Sequence, residues 1–124
     1  MMNTRELEKI AEGLIGIPFV ACGRDLETGI DCLGLVIAFF CRVGIALPDP
    51  LSWDTKEVAE SNFSSMFNKV IGEPKDLDVA RSLDRHLGIV IGRRILHTAE
   101  NTGVVSIPIR CARVQEYYRL RDEK

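Results

Sequence analysis

The chain has 124 residues, of which 46% are hydrophobic and 27% charged, and its formal net charge is −2. That length holds one compact domain with a core of its own, and the near-neutral charge argues against nucleic acid as a partner. The opening stretch "MMNTRELEKIAEG" lacks the apolar run of a signal peptide, and the longest greasy run, Cys32 to Cys41, is about half of the ~20 residues a bilayer span needs, so no membrane span is expected.

Asn3 followed by Glu6 reads as a capping box, and Leu7, Ile10, Ala11 and Leu14 recur at helical spacing, so a first helix is predicted to end near Gly16 and Pro18. Residues 19–30, with Gly23, Gly29 and the charged "RDLE", read as a loop that delivers the chain to Asp31. Asp31 is a good N-cap. A second helix is predicted from Cys32 to about Val43, with Gly44 as its stop. Apolar on nearly every side, it is expected to be the buried central helix. Val58, Ala59, Phe63, Met66, Phe67 and Val70 point to a weaker third helix.

Beyond it the period changes. "HLGIVIG", "RRILHTA", "TGVVSIPIR" and "YYRL" are short segments rich in β-branched or aromatic residues and set between turn residues, which predicts an antiparallel sheet. Helices first and strands after make an α+β domain, a single unit over 1–124, with the buried helix packed on one sheet face.

The chemistry-bearing residues are few. Cysteines stand at 22, 32, 41 and 111, and no two of these and the two histidines lie closer than nine positions, which does not fit the close ligand pairs of a zinc site. No metal or cofactor is expected, and without a secretion signal the cysteines are expected as free thiols in a chain made in the cytoplasm. At the first position of its helix, Cys32 would meet unpaired backbone N–H groups and the positive end of the helix dipole, which favour a thiolate and can hold an oxyanion. Cys41 and Cys111 read as structural. A nucleophilic thiol needs a base, and the chain has only His86 and His97 to offer. If Gly92-Arg93 is a two-residue turn, Ile91 faces Arg94 and Gly88 faces His97. Both histidines then share one face, about 7 Å apart, and that face is expected to meet the cysteine helix.

In this order the chain resembles the NlpC-type cell-wall peptidases, small papain-like cysteine enzymes. Their "G-x-P-Y-x-x-G-G", "G-x-D-C-S-G-L-V", "P-x-G-D-L-V", "H-V-G-I-Y-I-G" and "H-A" segments correspond to "GIPFVACG", "GIDCLGLV", "PKDLDV", "HLGIVIG" and "LHT". The resemblance implies a minimal papain-like domain with Cys32 as nucleophile, His86 as general base and His97 holding His86. It also implies Phe19, Asp31 and Leu33 at the substrate site. The implied substrate is a peptidoglycan stem peptide, cut between γ-D-glutamyl and a diamino acid. The form "GRDLETGIDCLGLV" looks most like peptidases of phage tails, which adds tail proteins as partners and a virion tail as a destination. The chain departs from the pattern at Phe19 for tyrosine, Cys22 for the first of the paired glycines, Leu33 for serine and Lys75 for glycine. A tail-assembly or interaction protein on the same fold is the alternative reading.

Overall fold

The structure, a computed structural model, describes residues 2–49, 65–82 and 86–121. The first helix, α1 (Thr4–Leu14), starts with the expected reciprocal cap: Asn3 Oδ1 accepts the Glu6 N–H at 2.9 Å, and Glu6 Oε1 accepts the Asn3 N–H at 3.0 Å. Leu7, Ala11 and Leu14 form its buried face.

The stretch expected as loop contains a short antiparallel ribbon, β1 (Arg24–Asp25) and β2 (Gly29–Ile30), with Arg24 opposite Ile30. Two-residue strands have no period to read, so only their turn residues were visible. The ribbon leads into α2 (Cys32–Arg42), capped by Asp31, whose Oδ1 accepts the Gly34 N–H at 2.7 Å. Leu35, Val36, Phe39 and Phe40 are fully buried, whereas Leu33 and Ile37 are half-buried and Cys41 is exposed. The helix therefore covers one sheet face and does not run through the centre of the domain. In a two-layer architecture a helix has the sheet on one side only, so even a very apolar one keeps an outer side.

Of the predicted third helix, Val58, Ala59 and Phe63 lie outside the described residues. Its last part is corrected: Phe67–Lys69 is a strand, β3, paired with the C-terminal strand. Phe67 is buried with its ring edge-on to Phe40, centroids 6.3 Å apart, so its apolar side chain serves the core from a strand. The remaining strands are β4 (Val79–Ser82), which no periodicity had marked, β5 (Leu87–Ile91), β6 (Arg94–Ala99), β7 (Gly103–Pro108) and β8 (Val114–Leu120). Among the described residues they form a six-stranded antiparallel sheet in the order β3-β8-β4-β5-β6-β7.

The β5–β6 hairpin has the expected two-residue turn. Gly92 takes a φ of 63° while Arg93 stays out of the left-handed region, the type II′ pattern, and Ile91 pairs with Arg94. Alternation then divides the sheet. Val79, Ile89, Ile91, Leu96 and Val104 pack against α1 and α2, while Ala80, Val90 and Ile95 point the other way, under Ile109 and Ala112 from the segment after β7. The entry to β4 is pinned by Asp78, only 1% exposed, whose two oxygens accept Nε and Nη2 of Arg119 on β8 at 2.8 Å each.

Gly88 marks the tightest approach within the hairpin. A Cβ there would stand 2.5 Å from Ile95 Cγ2, 3.0 Å from the Leu96 carbonyl oxygen and 3.3 Å from His97 Cβ. Gly88→Ala is expected to cost about 1–3 kcal/mol of stability, read as a lower urea midpoint at unchanged m-value, because the neighbouring strand must shift.

Candidate active site

Cys32 is the first residue of α2, and its sulfur accepts the N–H of Leu87, the residue that follows His86. The hydrogen bond is possible because the β5–β6 register runs from Ile91↔Arg94 only as far as Gly88↔His97. At the end of the hairpin, Leu87 gives its N–H to the thiol. On β6 the neighbouring Thr98 is fully buried, with an Oγ1 that has no partner among the described residues.

The sequence predicted a thiol poised as thiolate, and this is corrected. Burial pushes the Cys32 thiol above its ordinary range, the Leu87 N–H pulls it down, the Asp31 carboxylate raises it again, and the N–H groups of Leu33 and Cys32 pull it down. Desolvation leads because the sulfur is enclosed between α2 and the start of β5. The cap that orients the helix also sets a negative charge beside the thiol.

His86 and His97 share one face, as the turn geometry required: His97 pairs with Gly88, two residues beyond His86. Both line a cavity of about 330 Å³ together with Ala80, Ile95, Cys111 and Arg113. That face is the one carrying Val90 and Ile95, not the one packed on α2, so the expectation that it meets the helix is corrected. Parity is the reason, since Leu87, Ile89 and Ile91 occupy the α2 side of β5 and leave the other side to His86, Gly88 and Val90. Cys32 approaches the start of β5 from the helix side, and the imidazoles approach it from the cavity side. His86 is exposed and His97 half-buried. Burial holds the His97 ring below the ordinary histidine range, the charge of His86 adds to the effect, and its buried Nε2 has no partner among the described residues.

The other expected site residues cluster before α2. Phe19, half-buried, bridges to Ile30 at the end of β2, and Leu33 is half-buried in the first turn of the helix. Asp31 is engaged internally: Oδ1 accepts Gly34 N–H and Arg24 Nη1, both at 2.7 Å, and Oδ2 accepts the Cys22 N–H at 3.1 Å. Cys22 stands where the resembling peptidases have glycine, and it adopts a left-handed φ of 59°. Arg24 was missed in the sequence because its partner lies seven residues on, across a ribbon too short to detect. Among the described residues no group of histidine, cysteine or acidic side chains could hold a metal ion, and no helix is long and apolar enough to cross a membrane.

A cysteine opening a helix that packs on an antiparallel sheet bearing two histidines defines an α+β thiol domain. More narrowly, the chain has the fold of NlpC/p60 domains. It is similar to the NlpC/p60 domain of the peptidoglycan hydrolase SagA, at 20% identity over 96% of this chain and 100% of that one, with a TM-score of 0.71. It is also similar to an NLP/P60 lipoprotein-like protein of Staphylococcus aureus, at 17% identity over 97% of this chain and 42% of that one, TM-score 0.68. A third similar structure is RipD of Mycobacterium tuberculosis, described as a non-catalytic NlpC/p60 domain protein adapted to peptidoglycan binding, at 16% identity over 98% of each chain, TM-score 0.63. No protein-family model and no curated protein matches the chain.

The His97 environment predicts a pH dependence. Its folded form resists protonation, so as pH falls below the ordinary value of 6.5 the unfolded chain takes up a proton first, and stability drops until pH has passed the lower folded value. Denaturant unfolding between pH 7.5 and 5.0 is expected to show this decline, and His97→Gln to flatten it.

Proposed function

We propose that the chain is a cysteine peptidase acting on amide bonds of peptidoglycan stem peptides. The observation that carries this is the anchoring of Cys32 at a helix start, on the N–H of the residue next to His86. Burial raises the Cys32 thiol, so this reading has the exposed His86 ring reach round the head of β5 and take the Sγ proton as the sulfur attacks the carbonyl carbon. The N–H groups at the start of α2 receive the oxyanion. As the tetrahedral species collapses, the C–N bond breaks and the amine leaves with the proton from His86. Water, giving a proton to His86, then attacks the thioester, releasing the carboxylate and restoring the thiol.

The γ-D-glutamyl-diamino acid bond is the finer assignment, supported by the motif order from "GIPFVACG" to "LHT" and by the likeness to a peptidoglycan hydrolase domain. Association with phage tails rests on the "GRDLETGIDCLGLV" form. A second reading, a wall-binding or tail-assembly protein without catalysis, draws on the enclosed thiol, raised above its ordinary range, and on the likeness to RipD.

One assay separates the two. Purified peptidoglycan is incubated with the protein and new amine termini are identified by mass spectrometry. The peptidase reading expects a γ-D-glutamyl cut that falls at least about a hundredfold in Cys32→Ala and in His86→Ala. Binding of peptidoglycan without any new amine supports the second reading. Phe19→Tyr, which adds the hydroxyl of the resembling peptidases at a half-buried position, is expected to fold normally and to raise the cleavage rate; a flat rate would remove Phe19 from the substrate site.

A further inference from the structure

Arg24 has no part in the chemistry described so far, yet it lies where three segments meet. Its Nη1 donates to Asp31 Oδ1 at 2.7 Å and to the Gly23 carbonyl at 2.8 Å, and its Nε donates to Asp49 Oδ2 at 2.8 Å. The Arg24 and Asp31 side chains are 22% and 20% exposed, too enclosed for solvent to screen the pair fully. The guanidinium also lies against the first turn of α2: a Cβ on Gly34 would stand 3.3 Å from Arg24 Nη1 and 2.6 Å from the Gly23 carbonyl oxygen. The turn that bears the nucleophile is kept narrow where the arginine crosses it.

We propose that Arg24 is a positioning residue of the thiol centre, neutralising the carboxylate that caps α2 so that the cap can orient Cys32 without leaving a bare negative charge beside its sulfur. The proposal rests on the peptidase reading for its purpose, but not for its test. Asp31 serves two demands that conflict. Its oxygens satisfy the N–H groups of Gly34 and Cys22, which no neutral aliphatic side chain could do, and its charge opposes ionisation of the adjacent thiol. A guanidinium on the same oxygen that caps the helix resolves the conflict, because it leaves both N–H bonds in place. Asp49, on the far side of the guanidinium, holds it in the plane that reaches Asp31.

The groups acting on the sulfur are Asp31 at its own helix start and the N–H groups of Leu87, Leu33 and Cys32, while the His86 ring lies on the cavity side of β5. Those facing Asp31 are Arg24 and the N–H groups of Cys22 and Gly34. A change at Arg24 therefore reaches the thiol through Asp31.

The test is the rate of iodoacetamide labelling of Cys32 in the full chain, mapped by mass spectrometry across a pH series. Arg24→Gln is expected to move the midpoint upward by about half a unit or more, a roughly three- to tenfold slower reaction at pH 7. Arg24→Lys keeps the charge and is expected to move it less. Asp31→Asn, which keeps a capping oxygen, is expected to move it downward. The deciding comparison adds Arg24→Gln to Asp31→Asn, where no further shift is expected. An unchanged profile in Arg24→Gln overturns the proposal, as does an equal shift when Arg24→Gln is made on top of Asp31→Asn. If Arg24→Gln does not fold, a shift in Arg24→Lys as large as a lost charge would give has the same force. Peptidoglycan cleavage by the unaltered protein is scored separately, so failure of the peptidase reading leaves this result standing.

Discussion

One carboxylate organises the front of this domain. Asp31 must satisfy the amides at the head of a nearly all-apolar helix, because α2 offers no acidic or amide side chain of its own in that first turn. In doing so it gathers the Cys22 turn, the β1–β2 ribbon and, through Arg24, Asp49 beyond the helix's other end. The position of Cys32 follows from that gathering, since the sulfur belongs to the residue next to the cap. The same carboxylate works against ionisation of that sulfur, and the arrangement around Arg24 is the structural response to the conflict.

β5 is the second half of the site, and it serves two layers at once. Leu87, Ile89 and Ile91 face the helices, and full burial of side chains such as Ile89 and Ile91 is worth about 1.5–3 kcal/mol each. His86, Gly88 and Val90 face the cavity side. The strand's first N–H, released where the hairpin register stops, holds the thiol. Under the peptidase reading, an enclosed thiol raised above its ordinary range needs a proton acceptor only at the moment of attack, unlike a preformed ion pair. Burial holds His97, paired with Gly88, below the ordinary histidine range, which under the same reading suits an imidazole partner that does not compete for the proton.

Long-range pairing sets where β5 lies. Asp78, buried and held in both oxygens by Arg119, ties the entry of β4 to the last strand, with the Lys75 N–H bonded to the same carboxylate at 2.8 Å. Thr4 at the start of α1 donates to Asp76, and the Gly92 N–H donates to the other oxygen of that side chain at 2.6 Å. The loop "PKDLDV" thus joins α1, the hairpin turn and β8, three places far apart in the chain.

Whatever depended on neighbours within a few residues was legible in the sequence: the Asn3–Glu6 box, the Asp31 cap and helix start, the Gly92-Arg93 turn and the register that puts His86 and His97 on one face. These follow from local hydrogen bonding and from fixed side-chain periods. Tertiary structure decided the rest. Which sheet face the helices cover, and so on which side the histidines lie, depends on packing among residues distant in the chain, and parity alone cannot distinguish the two faces. Phe67 showed the same limit, because an apolar residue at helical spacing fits a strand equally well once Phe40 is beneath it. The state of Cys32 was decided there too: a helix start draws a thiol toward ionisation, but the enclosure of the sulfur and the charge beside it exist only after α2, β1 and β5 have come together.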